Sequence, residues 1–348
     1  MASLAVVAAA ASAEPTRGGD PGGNTGGAVL DDSVAGLDPH IQIAPAFPQT
    51  TAAAAIVVDR ATGTVLGSNK PDRRWAPAST TKIMTGLLTA EKIRAGTVSL
   101  SDTVTIQSDV SIEGGKSIGL APGDTISLQD LLNITLIDSD GDAASAVGTY
   151  VGSQPWGDPS WMGRAQFVQW MNDRAGELGL TNTRYIDIAG RDPEDLGREN
   201  DDGLWPPDGY WPTQEVCSGN DFNNPPCGHY TTARDLAALA RVALDEPLFA
   251  RIVARPSWRT TTWRSASGGV LDRTVYSSNE LLPGGTAAYP GAYGVKTGTT
   301  NMARQNLVSA AATSTKDVIA VVLGSDDDST VPGDRYTDSR ALLDWALR

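Results

Sequence analysis

Regular patterning begins at Ala54. The run from Ala54 to Asp59 and the run Gly63-Thr-Val-Leu66 are short, apolar and β-branched, with Arg60-Ala-Thr-Gly63 between them, so they read as two strands joined by a turn. From Pro77 the period changes. Ile83, Met84, Leu87, Leu88 and Ile93 recur at three- and four-residue spacing, and Gly96 follows, the mark of a helix with one apolar face and a stop. Further helices are predicted over 128–137, 142–151, 166–178 and 232–244, the last capped by Thr231 or Thr232. Three β-rich runs then cover 292–299, 306–312 and 318–323, with connections short enough for antiparallel hairpins, and a helix over 338–347 follows. Strands at both ends with helices between them predict one α/β (α+β) domain, its sheet closed by pairing the first strands with the last.

Upstream the pattern is different. Residues 1–13 read as a signal-peptide-like segment: Leu4 to Ala11 is apolar and runs into the small-x-small site Ala11-Ser12-Ala13, although no basic residue precedes it. Residues 14–50 are rich in Gly, Pro and Asp and read as a flexible linker. A phosphate-cradling glycine loop needs a strand before it and a helix after it, and neither pattern is present. This leaves 51–348 as the folded domain of an exported, secreted or wall-associated protein. No run of 18 apolar residues occurs, so no transmembrane helix is expected.

Composition narrows the chemistry. A formal net charge of −14 over 348 residues repels phosphate backbones and argues against a nucleic-acid partner. Two His and two Cys cannot build a four-cysteine zinc site or a cysteine-ligated iron–sulfur cluster. What remains is Ser, Lys, Asp, Glu and the backbone. Cys217 and Cys227 lie in a Pro-, Asp- and Asn-rich stretch, about 191–228, that reads as a surface insertion. In an exported protein a disulfide between them is expected, closing a short loop for up to about 3 kcal/mol in the chain-entropy model. A Cys-Cys-His metal site with His229 is the alternative, but it has no clear fourth ligand.

Three short motifs carry candidate chemistry. Ser79 and Lys82 form Ser-x-x-Lys at the mouth of the first helix, where residues three apart share a face and the ammonium reaches the hydroxyl. The helix start also favours a developing anion. Ser139-Asp140-Gly141 sits in the turn between two apolar helices, with Ser139 placed to relay a proton and Asp142 to cap the next helix. Lys296-Thr297-Gly298, followed by Thr299, lies on a late strand. There an exposed Lys binds a carboxylate and Gly lets a ligand backbone approach. Each motif alone has an ordinary structural explanation.

Together and in this order, the motifs resemble those of penicillin-recognising serine enzymes. The chain is similar to the D-alanyl-D-alanine carboxypeptidases, the low-molecular-mass penicillin-binding proteins. Leu120-Ala-Pro-Gly-Asp-Thr-Ile-Ser-Leu-Gln-Asp-Leu-Leu132, Met171-Asn-Asp-Arg-Ala-Gly-Glu-Leu-Gly-Leu180 and Tyr289-Pro-Gly-Ala-Tyr-Gly-Val-Lys-Thr-Gly-Thr-Thr300 share in the likeness, which spans about Ala53 to Trp345. The resemblance implies a β-lactamase/transpeptidase-like fold, an antiparallel sheet flanked by helices with a mainly helical subdomain. It departs twice. Gly141 stands where the family has Asn, and the insertion before the Thr231 helix is long and placed to edge the cleft.

The resemblance further implies a mechanism without metal or cofactor. Ser79 attacks the penultimate D-Ala carbonyl of a peptidoglycan stem peptide, and β-lactams acylate the same hydroxyl. Lys82 is the base, its pKa lowered by partial burial and by the like charge of Lys296. Ser139 passes the proton to the leaving D-Ala, Lys296 and Thr297 hold the terminal carboxylate with Gly298 beside them, and the N–H groups of Ser79 and Thr299 form the oxyanion hole. Two alternatives share the motifs. A class A-like β-lactamase needs a Glu for deacylation, and Asp192-Pro-Glu-Asp-Leu196 only superficially resembles that segment. A non-catalytic wall-binding protein is suggested by Gly141 alone.

Overall fold

The computed structural model describes residues 46–108, 115–154, 157, 161–192, 228–326 and 334–348. Residues 1–45 lie outside these, as do Cys217, Cys227, Glu194 and most of the insertion.

The sheet has five antiparallel strands. β1 (Ala54–Asp59) and β2 (Val65–Asn69) form the expected hairpin, and β7 (Ala292–Thr300), β8 (Arg304–Ala312) and β9 (Asp317–Ser325) form the expected meander. Their order in space is β2-β1-β9-β8-β7, so β9 closes the sheet against β1 with Ile56 opposite Val321. Side chains alternate between two buried faces. Ile56, Val58, Ile319, Val321 and Leu323 enter the core under the helices, while Ala55, Val57, Val318, Ala320 and Val322 meet Leu342 and Leu343 of the C-terminal helix. Burial on both faces explains why β1 and β9 are continuous apolar runs rather than alternating ones. Each such Val, Ile or Leu side chain contributes about 1.5–3 kcal/mol by leaving water.

Between the strand groups lie the helices. A tight turn, Ala78–Thr81, leads into α1 (Lys82–Arg94). α2 (Leu128–Asn133) continues through one wide turn, Ile134–Asp138, and stops at Ser139. α3 (Gly141–Gly152) and α4 (Trp161–Glu177) pack on each other, with Gly152 and Gly163 allowing backbone contact. α5 (Ala233–Asp245), α6 (Pro247–Val253) and α7 (Arg335–Leu347) complete the helices among the described residues. Two small hairpins, β3 (Thr103–Thr105) with β4 (Thr125–Ser127) and β5 (Ser257–Arg259) with β6 (Thr274–Tyr276), edge the helical part. Phe47 meets Trp345 edge to face, 5.3 Å between ring centroids, and ties the segment before β1 to α7.

Two caps refine the expected helix starts. Thr232 caps α5, its hydroxyl accepting from the Asp235 N–H. For α3 the cap is Asp140 rather than Asp142: Asp140 accepts from the Ala143 N–H at 2.7 Å, while Asp142 is already the second residue of the helix and accepts from the Ser117 hydroxyl. Asp140 wins because its extended backbone sits just outside the first turn, where a short carboxylate reaches the unpaired N–H groups.

Candidate active site

Ser79 lies in the turn before α1, and Lys82 is the first residue of the helix, so both side chains emerge on one side. Lys82 Nζ donates to Ser79 Oγ at 2.8 Å and to the Ala189 carbonyl at 2.7 Å. The lysine is 2% exposed. Burial lowers its pKa to about 8, against the raising pull of Asp187 and Asp140 and with the like charge of Arg191 adding to the lowering.

The turn is held by what surrounds it. Asn306 on β8, fully buried, donates to the carbonyls of Ala76 and Pro77 and accepts from the Gly324 N–H. Gly298 on β7 presses against the same turn: a Cβ there would lie 3.0 Å from the Pro77 oxygen and 3.2 Å from the Ser79 nitrogen. On the other side Gly190 has φ +86°, and a Cβ would lie 1.9 Å from the Ala78 oxygen. That position requires glycine both for its backbone angle and for its closeness to the turn that carries Ser79. Asp187 fixes this loop by accepting from the N–H groups of Ala189, Gly190 and Arg191, and it pairs with the Arg191 guanidinium at 3.1 Å. Burial alone pushes Asp187 up, but Arg191 holds its carboxyl well below the ordinary range.

Ser139 terminates the wide turn with φ 71°, a left-handed angle that strains a side chain-bearing residue. Its hydroxyl accepts from Lys296 Nζ at 2.7 Å. Lys296, 1% exposed, also donates to the Thr297 carbonyl, and the Thr297 hydroxyl lies 2.7 Å from that of Ser278. The two lysines repel one another, and the repulsion disfavours charging both at once. Lys296 is pushed well below the ordinary ammonium range, by burial first and then by Lys82, Arg335 and Lys116. Arg191 adds a like charge beside Lys82 that the sequence pattern did not place there.

Ser79, Lys82, Ser139, Thr297, Gly298 and Thr299 line one cavity of about 530 Å³. Lys296 lies behind it, bonded to two of its wall residues. Arg335, from the first turn of α7, also lines it. The guanidinium donates to the Gly298 carbonyl at 3.0 Å and the Thr299 hydroxyl at 2.5 Å, adding a cation that the motifs did not reveal. Asp192, at the start of the insertion, accepts from the Thr300 hydroxyl and the Met302 N–H. His229, at the insertion's far end, is buried and meets the Thr81 hydroxyl at 3.0 Å through Nε2. Burial lowers its pKa to about 4, so at neutral pH it is an uncharged group held against Thr81, just before α1.

A nucleophile beside a buried lysine, facing a second lysine on a strand, is an arrangement for acyl transfer. A family model described as D-alanyl-D-alanine carboxypeptidase, peptidase S11, matches residues 41–327. The chain belongs to the D-alanyl-D-alanine carboxypeptidase family. Among its relatives, DacC of Escherichia coli is 30% identical over 309 residues, 86% of this chain and 62% of that protein. DacF of Bacillus subtilis is 29% identical over 298 residues, 85% and 62% respectively. The chain thus spans about 62% of the length of these curated relatives. The Streptomyces K15 DD-transpeptidase matches in structure with a TM-score of 0.66 at 25% identity, covering 86% of this chain and 98% of that one. A Mycobacterium tuberculosis D-alanyl-D-alanine carboxypeptidase structure matches with a TM-score of 0.66 at 26% identity, covering 87% and 94%. These neighbours share the α+β architecture expected of the family.

Gly141 is the residue that the sequence motif marks as a departure. It opens α3 with no side chain, and its N–H donates to the Lys116 carbonyl at 2.8 Å. Among the described residues no cluster of His, Cys, Asp or Glu suits a metal ion, and no helix is long and apolar enough to cross a membrane. The disulfide expected between Cys217 and Cys227 falls outside the described residues, as does the Glu194 segment weighed for a β-lactamase.

Proposed function

We propose that the chain is a serine D-alanyl-D-alanine carboxypeptidase that removes the terminal D-Ala from peptidoglycan stem pentapeptides, and that β-lactams acylate the same serine. One observation carries the reading: Lys82 Nζ, buried and lowered to about 8, lies 2.8 Å from Ser79 Oγ. Lysine is ordinarily protonated at neutral pH, and desolvation is what makes it available as a base.

The steps follow from the positions. Lys82 takes the Ser79 proton as Oγ attacks the penultimate carbonyl, and the N–H groups of Ser79 and Thr299 receive the oxyanion, at about 3–4 kcal/mol per donor. Lys296, Thr297 and Arg335 bind the terminal carboxylate. That anion raises the proton affinity of Lys296 and so opposes the lowering caused by burial. Ser139, hydrogen-bonded to Lys296, passes a proton to the departing D-Ala nitrogen. Water then attacks the ester and frees the shortened peptide. Export is proposed from residues 1–13, which supply the apolar run and the small-x-small site.

The test is labelling with a fluorescent penicillin, together with D-Ala release from a pentapeptide. A persisting adduct that disappears in Ser79→Ala, with D-Ala released by the native protein, supports the reading. No adduct, or an adduct unaffected by Ser79→Ala, overturns it. Rapid penicillin turnover without peptide hydrolysis replaces it with a β-lactamase.

A further inference from the structure

The wall opposite β7 carries a charge that the proposed mechanism does not use. Lys116, Ser117 and Ile118 form a strap laced to the start of α3. The Lys116 carbonyl accepts from the Gly141 N–H, the Ser117 hydroxyl donates to Asp142, and the Ile118 N–H donates to Asp140 at 2.6 Å. Three consecutive residues are thereby fixed to the elements that hold Ser139.

Lys116 lines the cavity next to Asp138, Ser139 and Gly141. Its ammonium donates to Asp138 at 2.6 Å. Asp138 is nearly buried, whereas the lysine side chain is 54% exposed. One of three N–H donors is therefore committed and anchors the group, while the exposed end keeps capacity for an incoming acceptor. Because Gly141 has no side chain, nothing at that position separates a bound peptide from the lysine strap.

The cleft thus presents cationic side chains on two sides, and on the helical side Lys116 is paired with Asp138. Arg335 of α7 and Thr297 and Thr299 of β7 line one side, with Lys296 behind them, and serve the terminal carboxylate. Lys116 occupies the helical wall beside the position that lacks a side-chain amide. With the C-terminal carboxylate taken by the β7 side, a second anion-binding group serves the part of the peptide that remains on the enzyme after cleavage.

We propose that Lys116 reads the residue immediately before D-Ala-D-Ala and selects a side chain ending in a carboxylate. The inference rests on the peptidase reading above and adds a substrate class to it. A surface-accessible charge pair of this kind changes kcat/KM by about threefold to tenfold, mainly through KM, and weakens as salt rises.

The experiment uses the full chain and two matched pairs of acetylated tripeptides. One pair carries Glu or Gln before D-Ala-D-Ala, and the other carries 2-aminopimelate or its ω-amide, so that the charge is sampled at two lengths. The quantity read is the ratio of kcat/KM, carboxylate over amide. The expected ratio exceeds three in at least one pair, falls at high salt, drops to about one in Lys116→Gln and inverts in Lys116→Glu. Ratios near one in the native protein at both lengths overturn the proposal, as does a ratio that Lys116→Gln leaves intact. Failure of every peptide, amides included, instead overturns the peptidase reading, and the Lys116 proposal with it. Penicillin labelling of each variant distinguishes a misfolded protein from a changed preference. If Lys116→Gln fails to label, Lys116→Arg supplies the second arm, and the proposal requires it to retain the preference.

Discussion

Lys296 donates to Ser139 at 2.7 Å, joining a late strand to a turn near the middle of the chain. Ser139 stands at φ 71°, which a glycine adopts without strain. Ser139→Gly therefore removes the hydroxyl while relaxing the backbone. D-Ala release is expected to fall by about 10²–10⁴-fold, the range of a lost proton-transfer group, with a melting temperature equal to or above that of the native protein. Full activity in a well-folded Ser139→Gly protein would exclude the relay.

The pH dependence of acylation follows from Lys82. Its pKa is lowered to about 8, and the deprotonated form is the base, so penicillin acylation should rise about tenfold per pH unit below 8 and level off above it. Asp140 favours the charged form of Lys82. Asp140→Asn should move the rising limb to lower pH by roughly one unit, read by stopped-flow acylation across pH 6–10. A limb that stays in place would remove Asp140 from the electrostatics of the base.

Gly190 gives a stability test. A methyl group there meets the Ala78 oxygen, and the backbone angle disfavours any side chain. Gly190→Ala should cost about 1–3 kcal/mol, seen as a lower denaturant midpoint. Penicillin acylation should slow as well, because the displaced residue is next to Ser79. Loss of stability without any change in acylation would show that the loop yields rather than the nucleophile's turn.

Two buried groups tilt stability with pH in opposite directions. His229 falls from 6.5 to about 4 on folding, so between those values the unfolded chain binds more protons. Its contribution is present above pH 6.5 and is lost as pH falls through 4, about 3 kcal/mol in all. Asp140 rises from 3.8 to about 7, so there the folded chain binds more protons and stability falls as pH rises. Between pH 4 and 6.5, His229→Gln should make the slope of stability against pH more negative, and Asp140→Asn should make it more positive. Parallel curves for both variants and the native protein would contradict these burial effects.

Much of the framework was legible because it repeats. β1 and β9 announced themselves as dense apolar runs, β7 and β8 as β-rich runs, α1 by helical spacing, and α5 by spacing and a capping Thr. The hairpins β3–β4 and β5–β6 were not, since strands of three residues carry too little period to detect. α6 had one signal, Pro247 at its first position. At the site, Ser79, Lys82, Ser139 and Lys296 were legible as motifs. Arg335 was hidden because the final helix begins one turn before its apolar pattern starts, and Asn306 because a lone Asn in a strand shows no sign of what it clamps. Gly190 and Asp187 act through a loop whose approach to Ala78 exists only after the sheet has closed.

The strand order carries one more consequence. β1 lies between β2 and β9, and the lysine that meets Ser139 sits on β7, so the sheet beside the nucleophile waits for the last part of the chain to be made. A growing polypeptide that has already produced Ser79 and Lys82 still lacks Asn306 to hold their turn and Gly298 to press against it. These long-range contacts form late and slowly. Assembly of the proposed site is thereby tied to completion of synthesis, and a half-made molecule lacks the contacts that hold the turn of Ser79 and Lys82.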